Sequence, residues 1–134
     1  MAETLRVEVL TPDRALFAGD GVTAVYFPAE NGYLGILPGH QGLLTTLGVG
    51  AVVIERGGSR ELLALSGGFG EVAGDKLILL ADKAQLLGEV DKTAAQQQRQ
   101  EAEKQLTEGD PVAALQAFQE AEAWLAVADG KSPV

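Results

Sequence analysis

The sequence predicts a β-plus-α protein: an N-terminal antiparallel β-sandwich of about ten short strands, followed by a C-terminal two-helix antiparallel hairpin. Three observations carry this. From residue 4 to about residue 82, short apolar runs are punctuated by turn residues, as expected of half-buried strands. After Leu86 the composition changes abruptly: glycine becomes rare, and the good helix formers Ala, Gln, Glu and Leu take over. Within that second stretch, Glu108-Gly109-Asp110-Pro111 interrupts the helical pattern and divides it in two. Residues 1–86 therefore read as the sandwich and residues 87–134 as the hairpin.

Each element has its own signal. Leu5, Val7 and Val9 alternate with Arg6, Glu8 and Leu10, which is the period of a strand with one buried face. Residues 22–28, 34–37, 49–55, 61–66 and 76–81 are further strand candidates, rich in aliphatic and β-branched side chains. Gly19-Asp20-Gly21, Gly57-Gly58-Ser59 and Gly74-Asp75 predict turns between them. In residues 31–47, NGYLGILPGHQGLLTTL, Pro38 fixes its own φ and Gly39 tolerates a positive one. Local chemistry there predicts a β-hairpin corner between two apolar strands.

Asp91 is placed to cap a first helix reaching about residue 106. Asp110 caps a second helix, with Pro111 at its first position. Leu115, Phe118, Ala121, Leu125 and Ala128 make one stripe on the second helix, whereas the first offers only Ala95, Ala102 and Leu106 among glutamines. So thin a seam predicts a hairpin of modest stability, able to detach or rearrange.

Composition excludes several classes. The net charge of −9 argues against nucleic acid and against electrostatic docking on anionic lipid. There is no cysteine, hence no disulfide and no thiolate zinc site. Residues 1–6 lead into alternation rather than an apolar leader, and no run approaches the roughly 20 apolar residues of a spanning helix. Any membrane association is therefore expected to go through a protein partner.

Enzyme chemistry finds no constellation. His40 is the lone histidine, suited to a turn or interface rather than to a metal cluster. Ser66 in LSGGFG superficially resembles a nucleophile elbow, but that elbow needs G-x-S-x-G between strand and helix, so Ser66 reads as a structural hydroxyl. Gly67-Gly68-Phe69-Gly70 lacks the Gly-Lys-Ser/Thr and the helix start that a phosphate loop requires, and reads as a tight corner or bulge.

The longer strings are more specific than their local physics. G-x-L-G-I-L-P-G-H with x-x-L-L-T-x-L at residues 32–47, LALSGGFGEV at 63–72, LRVEVLTPDRALF at 5–17, Leu80-Ala81-Asp82 and the Val90-Asp91 step resemble, collinearly, the epsilon subunit of F-type rotary ATP synthases. The resemblance covers nearly the whole chain, most strongly to about residue 91. It implies a noncatalytic rotor subunit whose sandwich binds the gamma subunit and the membrane rotor ring, coupling proton flow to ATP synthesis. Its two-helix tail would modulate ATP hydrolysis through the alpha and beta subunits. It also implies a peripheral protein on the cytoplasmic side of a bacterial plasma membrane, with a plastid thylakoid as the other setting. A free-standing β-sandwich interaction module with a helical hairpin is the alternative.

Carried over residue by residue, the resemblance shows where this chain departs from the family. Ring contact is expected at Glu30, Asn31, Tyr33 and His40, with Tyr33 standing where relatives often have a glutamate. The nucleotide motif of some relatives, I/L-D-x-x-R-A, is degenerate here: Val90, Asp91 and Ala95 fit it, but Ala94 replaces the arginine. Glu101 stands where a second arginine is expected, and the second helix contains no Lys or Arg. Arginine grips phosphate oxygens bidentately, so no ATP or other cofactor is expected to bind. Lys92, Arg99, Lys104, Phe118 and Trp124 remain as the regulatory hairpin set. With acids balancing these cations, attraction to an acidic partner segment is expected to be weak.

Overall fold

A computed structural model describes residues 4–134; residues 1–3, where the leader reading begins, lie outside the described part. The strands are β1 (Leu5–Leu10), β2 (Ala15–Val22), β3 (Ala24–Ala29), β4 (Gly32–Ile36), β5 (Leu43–Thr46), β6 (Val49–Arg56), β7 (Ser59–Ala73) and β8 (Lys76–Leu86). A 3₁₀ turn (Leu87–Glu89) leads into α1 (Lys92–Glu108) and α2 (Pro111–Ala128).

The strands hydrogen-bond in the order β2-β1-β8-β7-β6-β3-β4, with β5 also on β7, and fold over one core. Leu5, Val7, Phe27, Ile54, Leu65 and Leu79 are among the side chains fully enclosed there. Alternation in β1 is strict: Leu5, Val7 and Val9 are buried while Arg6, Glu8 and Leu10 are half-buried.

The sandwich followed by two helices is as the sequence predicts, with refinements. Among the described residues there are eight strands rather than about ten, because β7 and β8 run 15 and 11 residues through positions that look like breaks. One pair is parallel, β1 on β8, with Val7 opposite Leu77 and Val9 opposite Leu79. Gly19-Asp20-Gly21 is not a turn: β2 continues through it as a bulge, with Gly21 at φ 76° and a register shift against β1.

The Pro38-Gly39 turn is present, with the His40 amide donating to the Leu37 carbonyl at 3.1 Å and Gly39 at φ 86°. It does not close a hairpin, however. β4 pairs with β3, whereas β5 pairs with β7. The turn is a crossover between two strand pairings, which a local pattern cannot distinguish from a hairpin.

β5 and β6 lie end to end along one side of β7 in one unbroken register, from Leu43 opposite Val72 to Arg56 opposite Ser59. The link between them is held by the Leu47 amide on the Gly68 carbonyl and the Gly67 amide on the Gly48 carbonyl, both 2.9 Å. Gly57 and Gly58 close this long hairpin with φ of 56° and 82°, both positive as the favoured two-residue turn requires.

The helices are capped as their sequence dictates. Asp91 accepts from the Ala94 amide at 3.0 Å, and Asp110 accepts from the Val112 amide at 3.0 Å ahead of Pro111. α1 buries only Ala95 and Ala102, and packs on α2. α2 is the middle layer, resting on β6 and β7 through Ala51, Ala64 and Val127, with Leu62, Val90 and Trp124 around them. Of the predicted stripe only Ala121 is buried; Phe118, Leu125 and Ala128 are half-buried and Leu115 is exposed, because the face that α2 buries runs through Ala114, Glu120, Ala123 and Val127 instead.

Gly68 has φ 118°, and a Cβ there would collide with the Leu80 carbonyl oxygen across the ladder. Gly68→Ala should therefore destabilise the sandwich by roughly 2 kcal/mol or more, read as a lower urea midpoint.

Candidate functional site

Three regions carry exposed or charged groups beyond what folding needs. The first is a face of β5, β7 and β8. Phe69 and Leu80 are direct cross-strand partners, and Leu44 stands on the neighbouring strand. Their exposures are 56%, 51% and 70%, large for apolar side chains on a protein of net charge −9. With Ile78 they line a shallow hollow of about 170 Å³. The Gly67–Gly68 corner turns Phe69 outward, so the corner that shapes the sandwich also makes the patch.

The second region is the β3–β4 turn. Glu30 accepts a 2.6 Å hydrogen bond from the Thr46 hydroxyl, fixing the turn to the end of β5, and Asn31 is exposed beside it. Tyr33 lies across Gly50 and donates its phenol proton to the Ala51 carbonyl at 3.0 Å. Burial of the ring raises its pKa. The structure thus brings Glu30, Asn31 and Tyr33 together but leaves His40 in the turn at the other end of β4, its Nδ1 2.7 Å from the Gln41 carbonyl.

The third region is the hairpin and its seat. Every cation of α1 has an acidic neighbour: Lys92 with Asp129 at 2.7 Å, Arg99 with Glu122 at 3.6 Å, and Lys104 with Glu108 at 4.0 Å. Arg99 also lies over the Phe118 ring, 5.5 Å from its centre. The hydrogen bond from Lys92, with its charge, holds the Asp129 carboxyl below its ordinary pKa. Trp124 sits half-buried in the seam between α2 and the sandwich. At the degenerate nucleotide motif, Asp91 is occupied as a helix cap, Ala94 is exposed and Ala95 is packed inward. Among the described residues no group of three or more acidic or histidine side chains converges to hold a metal, and no helix is long and apolar enough to cross a membrane.

Two contacts at this seat escape sequence reasoning. Arg14, in the β1–β2 connection, grips Glu89 with both guanidinium arms at 2.5 and 2.6 Å. The same carboxylate accepts from the Leu86 amide at 2.9 Å. Glu120 is buried on α2, accepting from the Ser66 hydroxyl at 3.0 Å and from Lys83 at 3.2 Å. An acid embedded among the alanines of α2 was the available signal for Glu120. Arg14 and Glu89 are too far apart in sequence to leave one.

Comparison with known proteins agrees with this architecture. The family model for the ATP synthase delta/epsilon chain beta-sandwich domain matches residues 4–86. The ATP synthase epsilon chain of Solibacter usitatus is 43% identical over 135 aligned positions, spanning 98% of this chain and all of that one.

This chain belongs to the ATP synthase epsilon-chain family.

Among other epsilon chains, that of Bacillus subtilis is 39% identical over 78% of each chain. A chain of the Euglena gracilis mitochondrial ATP synthase has the same fold, with a TM-score of 0.79 over 97% of this chain and 82% of that one at 20% identity. Membership identifies a noncatalytic subunit.

The Glu89 pKa is lowered to about 2 from the ordinary 4.5, first by its hydrogen bonds from Arg14 and then by the Leu86 amide. A depressed carboxylate contributes stability fully above its unfolded pKa and loses it as pH falls through the folded one. Wild type should therefore exceed Arg14→Ala in stability at neutral pH. The gap should close between pH 4.5 and 2, followed by urea unfolding across that range.

Proposed function

We propose that this epsilon-family chain is a central-stalk subunit of an F-type ATP synthase. In this reading the sandwich, residues 1–86, binds the gamma subunit and sits on the membrane rotor ring, while the hairpin, residues 87–134, tunes ATP hydrolysis. It carries no chemistry of its own; as a rigid body turning with the stalk, it couples proton flow to ATP synthesis. It is peripheral, held at the cytoplasmic side of the bacterial membrane by its partners.

The observation that carries this reading is the apolar face of Leu44, Phe69 and Leu80, three large side chains each more than half exposed. An acidic subunit gains by burying such a face against a partner that needs no opposite charge. We assign it to gamma. Glu30, Asn31 and Tyr33 at the β3–β4 turn are assigned to the ring, where Tyr33 offers an aromatic edge on a fixed hydroxyl. His40, at the other end of β4, would touch a different part of the rotor. The α1 cations are already satisfied within the chain, and α2 offers none, so the hairpin has little charge to offer an acidic segment of the catalytic subunits.

Co-expression with gamma is the test. The wild-type chain should co-purify with gamma, and Leu44→Asp with Phe69→Asp should abolish this while the far-UV circular dichroism stays that of a folded sandwich. A wild-type chain recovered without gamma would favour a free-standing interaction module. In the assembled synthase, removing residues 91–134 should leave ATP hydrolysis little changed; strong activation would show that the tail is an effective inhibitor despite its charge.

A further inference from the structure

The seat of α2 contains a charged group that packing alone does not require. Glu120 is 8% exposed and Ser66 3%, and both lie in the interface between helix and sheet. The apolar part of that interface is made mostly of small side chains: Ala51, Ala64, Ala123 and Val127, with Trp124 and Leu62 alongside. The three alanines bury little area each, so the apolar hold on the helix falls mainly to Val127, Trp124 and Leu62. A carboxylate enclosed there is costly without partners, and it has two. One oxygen accepts from the Ser66 hydroxyl on β7, and the other accepts from the Lys83 ammonium on β8. The three groups come from separate elements, so all three meet only when α2 is seated.

We propose that Ser66, Glu120 and Lys83 form a latch that keeps the hairpin on the sandwich and sets how readily it is released. Its geometry suits a reversible catch. Lys83 is two-thirds exposed, so water reaches one side of the pair and can solvate both ions as the helix lifts. On release Ser66 and Glu120 both gain water, and nothing buried is left unpaired. The released α2 carries Asp110, Glu120, Glu122 and Asp129 without a cation between residues 110 and 129, so an acidic surface offers it no second seat. The docked state is thus the resting one. Its regulatory meaning rests on the reading of the hairpin given above, whereas the latch itself belongs to the isolated chain.

The chain supplies its own reporter, since its one tryptophan, Trp124, is in the latched seam. In the full-length chain, Glu120→Lys sets two cations against each other and should shift docking roughly tenfold to hundredfold toward release. Trp124 emission should move to longer wavelength, and quenching by acrylamide should rise, while the sandwich strands keep their amide protection. Adding Lys83→Glu to Glu120→Lys restores an opposite pair and should return Trp124 to its protected state. Ser66→Ala, which removes only an oxygen, should release partially and serves where reversal disturbs folding. Amide exchange across α2 should quicken in it while β6 and β7 hold. Trp124 and α2 remaining as protected in Glu120→Lys and Ser66→Ala as in wild type would overturn the latch, as would a charge swap that stays released. Neither result depends on gamma, so failure here and failure of the stalk reading are separate outcomes.

Discussion

The sandwich depends on the corner at Gly67 and Gly68. β7 is the partner of β5, β6 and β8 at once, so a bend in β7 redirects half the sheet. Both residues take positive φ, 72° and 118°, and Gly68 presses against the Leu80 backbone of the next strand, where no Cβ can fit. Because the ladder to β8 keeps its register across the bend, from Ser66 opposite Lys83 to Gly68 opposite Ala81, the strand turns without losing its pairing. On one side of the corner stands Ser66, buried under α2; on the other, Phe69 faces solvent. The two surfaces that matter most are thus set by neighbouring residues of a single strand.

The hairpin follows a different logic. Its caps and its break are local and strong, but the helices have little apolar area with which to hold themselves in place. Polar contacts supply what burial does not: Lys92 with Asp129 closes the open end of the hairpin, and Glu120 ties α2 to the sheet. Arg14 holds the 3₁₀ turn at the hinge. The Lys92–Asp129 and Arg14–Glu89 pairs are largely exposed, and pairs of that kind are individually weak and sensitive to salt, which suits an element that has to stay put without being welded.

How much of this is legible in the sequence divides along the same line. Alternation in β1, the Gly57-Gly58 turn and the Asp110-Pro111 helix start are local patterns, and each occurs where its residues predict. Gly19-Asp20-Gly21 looks like a turn because glycine permits one, but strand pairing on β1 makes it a bulge instead. The Pro38-Gly39 turn is legible, whereas the separate partners of β4 and β5 are not, because pairing is decided by distant strands. The parallel contact of β1 with β8 is invisible for the same reason. Of the residues marked for function, Glu30, Asn31 and Tyr33 are gathered by one tight turn, while His40 is carried off along β4. Ser66 reads correctly as structural, but its partner Glu120 emerges only when α2 is laid on β7.

The phenol of Tyr33 rests on the bare backbone of Gly50, and a Cβ at that position would occupy the place of its hydroxyl. Positions 33 and 50 therefore exclude one another: a tyrosine at one demands the absence of a side chain at the other. A glutamate at 33 would leave that shelf empty and make room for alanine or serine at 50. In this fold the two sites are expected to change as a pair, and a tyrosine grafted alone onto a relative with a larger residue at 50 would find no place to lie down.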